Sequence, residues 1–169
     1  MKRIFSLVFC LCTVLNTFSQ KIESGSFDGL KNVDKLAIDL DFSHASIHGM
    51  NENAFSEYEK DWYTDKPDIV GDFIGCVASK IDGEIVVTDK SETSWLLRIN
   101  VISISSKGNF VCTADLINGG NIEAHVVGIH GSGGTFGSKL NLIKDGVKTT
   151  SKNCGSFMKK VIRKAKNQN

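Results

Sequence analysis

Residues 95–129 read WLLRINVISISSKGNFVCTADLINGGNIEAHVVGI, and this stretch decides the fold. Trp95, Leu97, Ile99 and Val101 alternate with Arg98 and Asn100, the period of a strand with one apolar face. The apolar parity then passes to Ile102 and Ile104, which predicts a bulge or a second covered face there. Lys107-Gly108-Asn109 turns the chain into a second strand with Phe110, Cys112, Ala114 and Leu116 in register. Gly119-Gly120-Asn121 turns it again into Ile122–Ile129. Three strands joined by tight turns predict an antiparallel meander.

Working outward toward the C-terminus, Gly131–Gly137 is a glycine-rich loop, read as a flexible connection, followed by a long helix over Leu140–Lys166. Leu140, Ile143, Val147, Cys154, Phe157, Met158, Val161 and Ile162 mark its buried side, with Gly146 and Gly155 as places of close packing. Toward the N-terminus, Glu84–Thr88 is a short β-branched strand. Before it, Ile69, Val70, Phe73, Ile74, Val77 and Ile81 form one helical stripe, started at Pro67 and ended by Asp82-Gly83. Asn51–Tyr63 is polar, with Phe55, Tyr58 and Trp62 at helical spacing. Leu36, Ile38, Leu40 and Phe42 alternate with Ala37, Asp39 and Asp41, a first strand with one wet face. The order β-α-β-β-β-β-α predicts an α/β (α+β) domain. It has a single mixed, mostly antiparallel sheet of about five strands, with two helices on one face and a parallel first crossover.

The N-terminus predicts export. Lys2 and Arg3 precede an apolar run from Ile4 to Leu15, too short for a membrane span of about 20 residues. Small residues at Thr17 and Ser19 suit a cut after Ser19 or one residue later. The organisation expected is a signal peptide over residues 1–19, a flexible lead-in over 20–34 and one domain over 35–169. A periplasmic or secreted location follows, with no transmembrane span. Cys10 and Cys12 lack the preceding small residue that a lipoprotein cut needs. Cys76, Cys112 and Cys154 fall in apolar patterns without metal-finger spacing and read as small buried hydrophobes.

Charge is divided along the chain. Gln20–Glu92 carries 7 bases and 16 acids, and Thr93–Asn169 carries 11 bases and 3 acids. Near-neutral overall balance argues against a nucleic-acid partner. The acidic first helix and the basic last helix are expected to lie side by side.

Several residues invite a functional reading. The loop Gly131–Lys139 lies between a strand and a helix, where Gly133, Gly134, Thr135 and Lys139 could contact an anion, although it matches neither phosphate-loop nor dinucleotide spacing. Lys159, Lys160, Arg163 and Lys164 face away from the apolar stripe and could meet an anionic surface or an acidic protein. His130 and Ser132, with Asp39 or Asp41 as a distant acid, outline a hydrolase alternative. His44 and His48 with Asp41 lack a metal-binding frame, and His125 differs in parity from His130. Tyr58, Trp62 and Tyr63 could stack on sugars, or close the core edge. No metal or cofactor is called for.

Phe42-Ser43, Asp61-Trp62, Lys66-Pro67, the segment Ser103–Asn109, and Gly133–Gly137 running into Leu140–Gly146 resemble a group of small exported proteins of Bacteroidetes. That resemblance covers most of the chain after residue 19 and implies no activity or site residues. The element order resembles, more loosely, the N-terminal domain of TolB and the penicillin-binding-protein activator lipoproteins, which implies an interaction module of the cell envelope. The expectation is an exported binding protein without catalytic activity. Its partner would be an envelope protein or an anionic envelope component, with self-association also open.

Overall fold

The alternation and turns of residues 95–129 produce three long strands in the computed structural model, which describes residues 19–168. The signal-peptide assignment falls, up to residue 18, outside the described residues. In chain order the elements are β1 (Lys21–Gly25), β2 (Lys35–Asp41), β3 (Ser46–Ile47), α1 (Glu52–Tyr58), α2 (Trp62–Ile81), β4 (Val86–Thr88), β5 (Trp95–Ile104), β6 (Phe110–Asn118), β7 (Asn121–Gly131) and α3 (Lys139–Lys166). One open mixed sheet runs β1-β7-β6-β5-β2-β4, and β3 adds to β5 beyond the end of β2. β2 is parallel to both β4 and β5, and β5, β6, β7 and β1 pair antiparallel. The expected bulge lies between Val101 and Ser103, where the β5–β6 register shifts.

The period-two pattern puts Leu36, Ile38, Leu40, Leu97, Ile99, Val101, Phe110, Cys112, Ala114, Leu116, Ala124, Val126 and Ile129 on one buried face. Against it, α2 buries Ile69, Phe73, Val77 and Ile81, and α3 buries Ile143, Val147, Cys154, Met158 and Ile162. Phe157 and Val161 are half-buried at the margin. α2 and α3 lie side by side, with Gly155 set against Val77 and Lys80, where a side chain would crowd the α2 backbone. The charge division runs along this contact: Lys144 Nζ meets Asp65 at 2.8 Å, and Arg163 Nη2 meets Glu84, just beyond α2, at 2.7 Å. The hydrogen bond to Asp65 raises the Lys144 pKa; burial, the next cause, opposes it, and the fields of Asp65, Asp68 and Asp72 add to the rise.

Four expectations need correction. Residues 20–34 are not a bare lead-in: β1 pairs with β7, and Phe27 and Leu30 enter the core around a 3-10 turn at Asp28–Leu30. An edge strand exposed along its whole length shows no alternation to read. With β1 and β3 the described sheet has seven strands rather than five. The described helices number three, because Asn51 caps α1 by accepting the Ala54 N–H at 2.9 Å. The second helix starts at Trp62, with Pro67 inside it. Proline disfavours that position through its missing N–H and its effect on Lys66. Trp62 offsets this: it is fully buried, stacks edge-on to Phe42 and Phe55, and donates Nε1–H to Glu52 at 2.9 Å. Lys66 also reaches Glu52, at 2.5 Å.

The opposite side of the sheet carries no helix among the described residues. Because β4 and β5 flank β2 in the same direction, residues 89–94 must cross β2. They do so on this open side, where Lys90 meets Asp39 at 2.8 Å and Ala37 is buried.

Candidate functional site

The glycine loop is held by packing. A Cβ on Gly133 would overlap the Lys107 carbonyl, and one on Gly146 of α3 would overlap the Gly108 carbonyl. Gly133 N–H donates to Asn109 Oδ1 at 2.8 Å. Loop 131–137, turn 105–109 and the first half of α3 thus meet backbone to backbone, and this explains Gly133 without a ligand. Gly134 faces only the side-chain ends of Asp145 and Leu142 of α3. The reading of a flexible connection is therefore corrected. Thr135 is exposed, and Ser138 caps α3 by accepting the Asn141 N–H. Lys139 lies over the Tyr58 ring, 3.6 Å from its centroid, and also contacts its hydroxyl. Lys139 is thereby turned toward α1.

The basic residues of α3 separate. Arg163 is held by Glu84, and Lys159 is half-buried. Lys160 and Lys164, one helical turn apart, are exposed and line a groove of about 550 Å³ between β1 and α3. Ile22 and Val161, with the buried Phe27 and Ala165 behind them, supply its apolar wall, and Asp28 adds one carboxylate to the lining.

The acid outlined for a hydrolase does not reach the His130 and Ser132 end of the sheet. His130 and Ser132 share a cavity of about 300 Å³ with Asn109 and Asn153, and the His130 carbonyl accepts Asn153 Nδ2–H at 2.9 Å. Asp39 and Asp41 lie on β2, three strands from β7, which is about 14 Å at ordinary strand spacing, so neither can orient His130. Of the other histidines, His44 is exposed, and His48 packs on Phe55 at 5.0 Å with φ +52°. Burial, then the Lys139 charge, lowers the His48 pKa. Among the described residues no three His, Cys, Asp or Glu side chains gather as metal ligands. Among the described residues no helix is long and apolar enough to cross a membrane. Tyr58 and Tyr63 are each 56% exposed, while Trp62 belongs to the core. Cys76, Cys112 and Cys154 are free thiols. Burial is the main cause that pushes Cys154 up to about 12, and it raises Cys112 further. Cys76 is only half-buried, which corrects its reading as a core residue.

Sequence reading missed the most ordered polar feature. Asp39, Arg98, Asp115 and His125 are register partners on β2, β5, β6 and β7, so they form one row across the open face. Lys90 extends the row at one end, and Glu23 of β1 at the other, 3.9 Å from His125 Nε2. Asp115 Oδ1 meets His125 Nδ1 at 2.6 Å, and Asp115 Oδ2 accepts Asn100 Nδ2–H at 2.7 Å. Arg98 Nε stands 3.9 Å from Asp39. Among the described residues no hydroxyl hydrogen-bonds the His125 ring. The row reads positive, negative, positive, negative, histidine, negative. Its members are scattered through 103 positions, and only strand register brings them together. No protein-family model, curated protein or solved structure matches the chain.

Proposed function

We propose that the chain is an exported, non-catalytic binding protein of the cell envelope that takes an anionic partner along the groove between β1 and α3. The observation that carries this reading is the pairing of Lys160 and Lys164 with an apolar wall. Two ammonium groups one turn apart supply attraction and orientation, and the wall supplies burial. Arg163 and Lys144 are spent on α2 and its flank, so the cationic surface is narrower than the sequence implies. Export rests on the charged and apolar pattern of residues 2–15 and the small residues at 17 and 19.

The test is co-sedimentation with envelope fractions at low and high salt. The wild type should bind at low salt and release at high salt. Lys160→Glu/Lys164→Glu should lose most of the binding, while Arg163→Glu should keep most of it. Equal binding by the wild type and the double variant would remove the groove from the reading.

A further inference from the structure

We propose that the open face of the sheet pairs with the same face of a second copy, about a two-fold axis parallel to the strands and passing between β5 and β6. The order of charges on this face is self-complementary. Along the row, Lys90, Asp39, Arg98, Asp115, His125 and Glu23 alternate in sign, His125 counting as positive when protonated. Such a row is complementary to its own reversal. Turning a second copy about this axis reverses the row, so Arg98 meets the second copy's Asp115, Asp39 meets its His125, and Lys90 meets its Glu23. The Arg98–Asp115 and Lys90–Glu23 pairs are opposite in sign, Asp39 meets an imidazole able to donate to it, and symmetry makes each pair twice. The other in-plane axis, along the row, would set Arg98 on Arg98 and Asp115 on Asp115. The pattern therefore selects one geometry and opposes the alternative.

The neighbouring row obeys the same operation. Leu96 and Ile117 are register partners on β5 and β6, and the axis sets Leu96 of one copy on Ile117 of the other. On the other side of the charges, Asn100 meets Thr113, two groups able to hydrogen-bond. Shape agrees too. The connection 89–94 makes a ridge over the β2 flank, and the axis carries that ridge to the β7–β1 flank, which no described segment covers. Six strands span about 24 Å, and the long strands run about 30 Å. Such a face is of the same order as one side of a standard interface, about 800 Å².

The test is sedimentation equilibrium on the purified protein, on Arg98→Glu and Asp115→Lys separately, and on their mixture. The wild type should show a two-chain mass at low salt that falls toward one chain at high salt. Each variant alone should show one-chain mass, because each repels its own copy. Their mixture should return to two-chain mass, since glutamate at 98 then meets lysine at 115 in one of the two symmetry-related contacts and the unchanged Asp115 and Arg98 meet in the other. Mixing cannot repair a defect within one chain, so recovery separates interface from folding. Lys90→Glu and Glu23→Lys, on opposite edges of the sheet and unable to touch within one chain, should behave in the same way. A one-chain mass for the wild type would overturn the proposal and leave the face to a different partner. A mixture that stays at one-chain mass, or two-chain mass in every variant, would overturn it as well.

Discussion

The two faces of this sheet are written by the same strands, residue by alternate residue. On the helix side, β5 presents Leu97, Ile99 and Val101, all buried. On the open side it presents Leu96, Arg98 and Asn100, all half-exposed. The helix side is closed by apolar packing, where a missing methylene is felt because neighbours cannot collapse into the gap. The open side is organised by charges still in contact with water, where each pair contributes little to stability. The helix-side face holds the fold, and the open face keeps its polar side chains within reach of solvent. Mutations should respect that division.

The largest effect is expected at Trp62. Trp62→Ala should destabilise by about 3–5 kcal/mol, because it opens a cavity between Phe42 and Phe55 and leaves Glu52 without its indole donor. Urea unfolding should show a lower midpoint with an unchanged slope. A loss below about 1 kcal/mol would mean that α1 and α2 are not closed over the sheet as described.

Two glycines sharpen the comparison because they should move in opposite directions. Gly146→Ala forces a Cβ into the Gly108 carbonyl and should cost about 1–3 kcal/mol. Gly71→Ala, on the exposed side of α2 with open space around it, should stabilise by about 0.5–1 kcal/mol. Thermal unfolding of both variants checks the signs. A gain at both sites would show that loop 105–109 does not press on α3.

On the open face, the smallest and most pH-specific effect belongs to Asp41. The Ser43 backbone N–H, donating at 2.8 Å, is the main cause that holds the Asp41 carboxyl below its ordinary 3.8. A depressed folded pKa contributes stability that is fully present above the unfolded value and is lost as pH falls through the folded one. Asp41→Asn should therefore flatten the stability profile on the acid side of about pH 4 and leave its shape at neutral pH unchanged. An unaltered acid limb in this variant would contradict the bond. Thiol labelling adds a check on the closed face. Cys76 should react in the native state, and Cys112 and Cys154 only on unfolding.

The helix-side face was legible in the sequence because apolar alternation and the helical stripes mark burial directly. Leu36–Phe42, residues 95–129 and the final helix all fall where their periods put them. β1 was not legible, since Lys21, Glu23 and Ser24 carry no apolar period and the strand exists only through its pairing with β7. Trp62 read as an aromatic lid because Pro67 looked like a helix start, and tertiary burial outweighed that local preference. Of the candidate site, Lys160 and Lys164 were visible as an i, i+4 pair. The commitment of Arg163 to Glu84 was not, since it depends on how the chain leaves α2. The charged row was illegible for a deeper reason. Asp39, Arg98, Asp115 and His125 become neighbours only once strand order and register are known, and a shift of one residue in any strand would scatter them.

The division between the two faces is tested most directly by measuring solution mass and unfolding free energy together for Arg98→Glu. The mass should fall from two chains to one. The free energy of the separated chain should change by no more than about 1 kcal/mol, as for a partly exposed ion pair. A loss of several kcal/mol with no change in mass would contradict that division, since the open face would then be serving the fold rather than recognition.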